Sequence, residues 1–234
     1  MKRILAIETS AETCSVALAD GDLVKERFEH APMKHAELIL PMVSGLLGEA
    51  GWKTMDLDVI AFGRGPGSFT SLRIGIGVVQ GLAWGADIPV APVSSLAAVA
   101  QAALSMAGGG STGQAELLVA MDARMGEVFH GRFRPDRLGR VESVGPEQVS
   151  APGDVSLAGI GIAAGNGFDR YQELVVQKNR VDSCFFDIWP RASTVLQLAR
   201  GWLETNQALS AALAQPVYIR NDVAQKPAQT AGGR

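Results

Sequence analysis

Three short apolar runs open this chain before any helix begins, and that order excludes most α/β plans. Lys2–Glu8 reads as a buried strand, and the polar stretch Thr9–Glu12 as the turn after it. Cys14–Asp20 and Leu23–Glu29 read as two more strands, joined at Gly21-Asp22. A dinucleotide-binding unit would enter a helix directly after its first strand. Here the first helix comes at Lys34–Ala50, closed by Gly51, and Pro41 inside it predicts a kink or a late start. Strand Leu57–Phe62 and the glycine-rich loop Gly63–Ser68 follow. Helix Phe69–Ala86, with Ser68 as its N-cap, then leads to strand Pro89–Val93 and helix Ser94–Met106.

The stretch Gly108–Gly113 predicts a flexible linker and a boundary between lobes at 1–107 and 114–224. Beyond it the opening pattern returns. Leu117–Asp122, Glu127–Arg134 and Arg140–Val144 read as three strands, Val155–Ala164 as a fourth, and Ala192–Leu203 as the last long helix. Residues 225–234 lack periodicity and predict a disordered tail. Strands lead each half and helices follow. The expected class is α/β, with two actin-like (RNase H-like) lobes, each a mixed sheet with flanking helices and the second lobe reduced.

The 234 residues are 47% apolar and 19% charged, a globular composition with length enough for a core. Net charge is −3, whereas a chain that grips nucleic acid by itself more often carries a basic excess. Cys14 and Cys184 form no CxxC and no disulfide framework, which fits a reducing compartment. The apolar run at the start breaks at Glu8, too short for a signal peptide, and no run approaches a membrane span. The expected location is the cytoplasm, with no membrane association.

Two loops offer groups that hold phosphate. Thr9 and Ser10 follow the first strand, and Gly65, Gly67 and Ser68 precede a helix N-terminus. No Lys follows to make a Walker loop, and an ordinary polar turn and a tight strand-to-helix connection explain the same residues. The helix after the loop is stranger. Gly77, Gly81 and Gly85 recur every four residues, so they share a face, and each costs about 1 kcal/mol against alanine. A stripe without side chains admits another backbone: the chain's own sheet, or a second chain. The preceding helix carries Leu38, Ile39, Leu40, Met42, Val43, Leu46 and Leu47 around most of its circumference, as a helix buried on two sides would, and of these Leu38, Met42, Val43, Leu46 and Leu47 are assigned to an interface. Those five, with Ile74, Gly77, Val78, Gly81 and Gly85, form the predicted partner interface. Catalytic constellations are scarce. His30 and His35 lack the helical spacing of a metal pair, and Asp122 with Arg124 more often form a structural ion pair. No catalytic or metal residue is predicted.

Ile7-Glu8-Thr9-Ser10, the block Gly65–Gly75, Pro92–Leu96, Met121–Arg124 and Pro216–Arg220 together resemble the TsaB (YeaZ) family, in order over nearly the whole chain. Ser71 stands where the family usually has Gly. The resemblance implies an actin-like fold and a non-catalytic partner of the transferase TsaD, which builds threonylcarbamoyladenosine next to the anticodon of tRNA. It implies a TsaE-like ATPase as a further partner and tRNA contact only through the complex. The catalytic paralogue carries an HxxxH metal pair where Ser95 and Val99 stand here. No cofactor is expected, with residual nucleotide binding left open, and a homodimer is expected when the chain is alone. The rival expectation is an ATP-dependent kinase or transferase of the same fold; a metallopeptidase lacks its ligands.

Overall fold

The computed structural model describes residues 2–108 and 116–220. Most of the predicted linker and the whole of 225–234 lie outside the described residues. The first sheet is built from β1 (Ile4–Glu8), β2 (Thr13–Asp20), β3 (Leu23–His30), β4 (Val59–Gly63) and β5 (Val90–Val93), in the order β3-β2-β1-β4-β5. β1 runs antiparallel to β2 and parallel to β4. The second sheet uses β6 (Glu116–Arg124), β7 (Glu127–Pro135), β8 (Val141–Ser143), β10 (Ile160–Ala164) and β11 (Ser183–Phe185), in the order β8-β7-β6-β10-β11. Here too the first strand is antiparallel to the second and parallel to the fourth. The two sheets therefore share one topology, the duplicated mixed-sheet plan of actin-like proteins.

The second copy is shortened. Helix α1 (His35–Ala50) of the first half is replaced by the extra strand β9 (Gln148–Ser150) and a short 3-10 turn. Helix α2 (Phe69–Ala86) corresponds to two single turns, α4 (Gly167–Arg170) and α5 (Gln172–Val175). The strand expected over Val155–Ala164 begins only at Ile160, because Gly159 takes a left-handed turn (φ 77°) just before it. Helix α1 runs through Pro41 without a break and ends on Gly51 in the left-handed conformation.

Alternation in β1 divides the first lobe into two cores. Leu5 and Ile7 face α1 and α2, while Ile4 and Ala6 face the opposite side. That opposite side is rich in alanine (Ala6, Ala17, Ala19, Ala61, Ala91), which lets a helix lie close. The helix that fills it is α6 (Ala192–Thr205), through Ala192, Val195, Leu196 and Ala199. In return α3 (Ser95–Met106) packs Leu96, Val99, Ala100 and Leu104 on the second sheet. Each half thus lends its last helix to the other half's sheet, and α3 touches α6 between them. The division at 107/114 assigned α3 to the first lobe and α6 to the second; the packing reverses both, because a boundary read along the chain cannot see which sheet a helix covers.

Candidate functional site

A cleft of about 440 Å³ separates the lobes. Its first-lobe wall is the turn after β1 and the loop before α2. Its second-lobe wall is the end of β6 with Phe129 and Asn166. The chain segment Val217–Arg220 closes one side.

Under the cleft lies Glu8, 1% exposed. One carboxylate oxygen accepts the Ser10 backbone N–H at 2.5 Å and the other the Ser95 hydroxyl at 2.8 Å. Burial pushes this carboxyl above its ordinary value despite those hydrogen bonds. Gly63, at the end of neighbouring β4, is required here, since any Cβ would collide with that carboxylate. The predicted phosphate groups are committed to one another. The Thr9 hydroxyl donates to the Ser71 carbonyl at 3.0 Å, and Gly75 leaves the space it occupies. The Ser10 carbonyl accepts the Ser68 N–H at 2.7 Å, with Gly67 pressed against it. Ser68 caps α2 and bonds the Ser71 hydroxyl at 3.0 Å. The structure brings Thr9, Ser10, Gly65, Gly67 and Ser68 together as a self-satisfied knot of two loops. Gly65 sits in it at φ 94° against Leu72.

At the other wall, Asp122 accepts Tyr171 OH at 2.7 Å, the Arg124 N–H at 2.9 Å and the Arg170 guanidinium. Burial raises its carboxyl, but these donors together hold it below the ordinary carboxylate value. Burial and the Asp122 partner push the Tyr171 phenol up to about 12. The expected pairing of Asp122 with Arg124 is present at 3.4 Å, but Arg124 also reaches Glu12 across the cleft. Glu12, Arg170 and Tyr171 drew no attention in the sequence, where nothing local ties them together.

The three histidines lie apart in role. His35 is buried and bonds the carbonyls of Ala11 and Thr13 at 3.0 and 3.1 Å. His30 stacks edge-on against Trp189. His130 meets the Ser150 hydroxyl at 2.9 Å. Among the described residues, no three His, Cys, Asp or Glu side chains group as metal ligands.

The predicted interface residues fall into three sets: buried, half-buried and exposed. Met42, Val43, Leu46 and Leu47 of α1 are buried in the chain's own first core, so its sheet and α2 already account for them. The reading of α1 as apolar all round is corrected: Glu37, Leu40, Pro41, Ser44, Gly48 and Glu49 form its exposed side. Leu38, Ile74 and Val78 are half-buried. Gly77, Gly81 and Gly85 face outward with nothing within 4 Å of where a Cβ would stand, so the chain's own sheet is not their partner. Trp84 stands beside that stripe, 75% exposed, and Leu40 is 52% exposed on the neighbouring helix. Trp84 escaped the sequence reading, although its place three residues after Gly81 puts it on the striped face.

The profile of the family described as "TsaD: tRNA N6-adenosine threonylcarbamoyltransferase" matches residues 29–224. The tRNA threonylcarbamoyladenosine biosynthesis protein TsaB of Escherichia coli K12 is 38% identical over 229 residues, covering 96% of this chain and 97% of its own length. The Haemophilus influenzae TsaB is 36% identical, with 95% of each chain covered.

The chain belongs to the TsaB (YeaZ) family.

A crystal structure of YeaZ from Pseudomonas aeruginosa superposes with a TM-score of 0.82 at 37% identity, covering 93% of this chain and all of that one. A second Pseudomonas aeruginosa structure, of a protein with similarity to peptidase YEAZ, gives 0.84 at 38% identity, with 94% and 100% covered. In this TsaB-family chain, Ser95 and Val99 at the start of α3 are both taken up by the fold. Ser95 is 2% exposed and donates to Glu8, and Val99 is fully buried in the second core.

Proposed function

We propose that this chain is a non-catalytic partner of a TsaD-like transferase in the formation of threonylcarbamoyladenosine on tRNA. The observation that carries the partner role is the outward stripe of Gly77, Gly81 and Gly85 beside exposed Trp84. Three glycines inside one helix cost about 1 kcal/mol each against alanine. Among the described residues nothing uses the space they leave, so a second backbone lying on α2 is the return for that cost. Half-buried Ile74 and Val78, with Leu38 and Leu40 of α1, supply apolar surface at its edges. The same face serves a homodimer when the transferase is absent. A TsaE-like ATPase joins the complex, and tRNA is met through it. The place of action is the cytoplasm; among the described residues no helix is long and apolar enough to cross a membrane.

The non-catalytic reading is supported by Ser95 and Val99 being committed to the fold. A cofactor-free role is supported by the Thr9 hydroxyl and the Ser10 N–H and carbonyl, which already have partners within the fold. The test is reconstitution of threonylcarbamoyl transfer to tRNA from purified components, with the wild-type chain and with Gly77→Leu/Gly81→Leu. The variant should lose co-elution with the transferase and lower transfer at least tenfold, while its circular dichroism is retained. Full transfer with the variant, or in the absence of this chain, sinks the reading.

A further inference from the structure

Contacts between the lobes exceed what an opening and closing cleft would keep. At the mouth, Glu12 in the turn after β1 takes Arg124 from the end of β6, and Arg170 of α4 lies 3.6 Å away. Asp122 ties those two arginines to each other. At the back, the Glu147 carboxylate, on the second lobe's β8–β9 connection, accepts the hydroxyl of Ser94, the N-cap of α3. Arg64, from the first lobe, lies 4.0 Å from the same carboxylate. Across one side, Pro216–Arg220 runs from lobe to lobe. Val217 N–H donates to the Arg64 carbonyl at 2.8 Å and Arg73 Nε to Tyr218 OH at 3.0 Å. Arg220 then reaches Glu127 and the Arg124 carbonyl on the second lobe.

The backbone agrees. Met125 and Gly126, at φ 57° and 78°, hold the left-handed conformations that a two-residue hairpin turn requires, but Arg124 just before them is left-handed too, at φ 62°, which a residue with a Cβ rarely adopts. Such strain persists only where the surroundings over-determine it. Here the Arg124 side chain is held by Glu12 and Asp122, its N–H by Asp122 and its carbonyl by Arg220. Exposed ion pairs are individually weak. These are tied into one network that spans both sides of the cleft, over lobes that have already exchanged helices.

We propose that Arg124, Arg220 and Glu147 clamp the two lobes at one fixed opening, so that the chain works as a rigid body and does not hinge as a kinase of this plan would. The cleft is then a strut holding the outward face of α2 in constant orientation to the second lobe.

The test is the spin–spin distance distribution between labels at Asp22→Cys and Arg137→Cys, exposed turn residues on the first and second lobes. Half-buried Cys184 is replaced by serine and fully buried Cys14 is left in place. The full chain, diluted with an excess of unlabelled chain so that a homodimer carries only one labelled copy, should give one narrow peak that magnesium-ATP does not move. Arg124→Ala/Arg220→Ala should broaden it at least twofold. Glu147→Gln, a milder change that keeps shape, should broaden it measurably and serves if the double variant does not fold. Two populations in the otherwise wild-type chain, a peak that ATP shifts, or variants whose widths equal the wild type's would overturn the proposal.

Discussion

Glu8 shows how one residue changes meaning between chain and fold. In the sequence it is the acidic end of a strand, just before the two hydroxyls of the turn. In the structure it is sealed under Gly63, Ser10 and Ser95 and disfavours its own charge. Its folded value lies above the ordinary one, so its contribution is complete at pH below the ordinary 4.5 and is lost as pH rises through the raised value. In Glu8→Gln the amide oxygen keeps the Ser10 N–H and the amide nitrogen donates to Ser95. The stability difference, wild type minus variant, should therefore fall as pH rises from 4 to 8, read from denaturant midpoints. A difference that rises over that interval would contradict the burial argument. Thr9 and Ser10 were legible as hydroxyls at a turn. That their partners are Ser68 before α2 and Ser71 in its first turn, some sixty residues on, was not legible, because the approach is made across two elements.

The two outer helices taught opposite lessons. The apolar periodicity of α1 is plain in the sequence, yet its density predicts two buried sides where the structure has one. A wide apolar stripe and a full circumference look alike when alternate turns carry small residues such as Ser44, Gly45 and Gly48. The glycine stripe of α2 was read at the right spacing, but its direction was open, since a period places residues on one face without saying what that face meets. Only packing showed Gly75 turned inward against Thr9 and Gly77, Gly81 and Gly85 turned outward. Gly81→Ala should therefore stabilise the chain by about 1 kcal/mol at dilutions where it is monomeric, because alanine suits a helix interior and meets open space there. Chemical denaturation measures it. A loss of stability would mean that the isolated chain packs something against that face.

For the molecule as a whole, helix exchange decides cooperativity. Leu196 of α6 is 1% exposed on the first sheet, and Val99 of α3 is fully buried on the second. Neither sheet keeps its core if the other half unfolds. The chain should therefore unfold in one transition by calorimetry, and Leu196→Ala should lower the stability of both lobes together, by about 2–5 kcal/mol. Separate transitions, or a variant that melts only one lobe, would show the lobes to be independent.

The duplicated order of strands and helices could be read from the chain alone, because period-two and period-3.6 patterning and turn chemistry are local properties of neighbouring residues. The motifs that carried the family resemblance were local too. Tertiary structure alone decided which sheet α3 and α6 cover, which glycines meet solvent, and that Glu12, Arg124, Glu147 and Arg220 bind the lobes together. Each of those depends on groups brought close by folding from far apart in sequence, where chain spacing carries no information about contact.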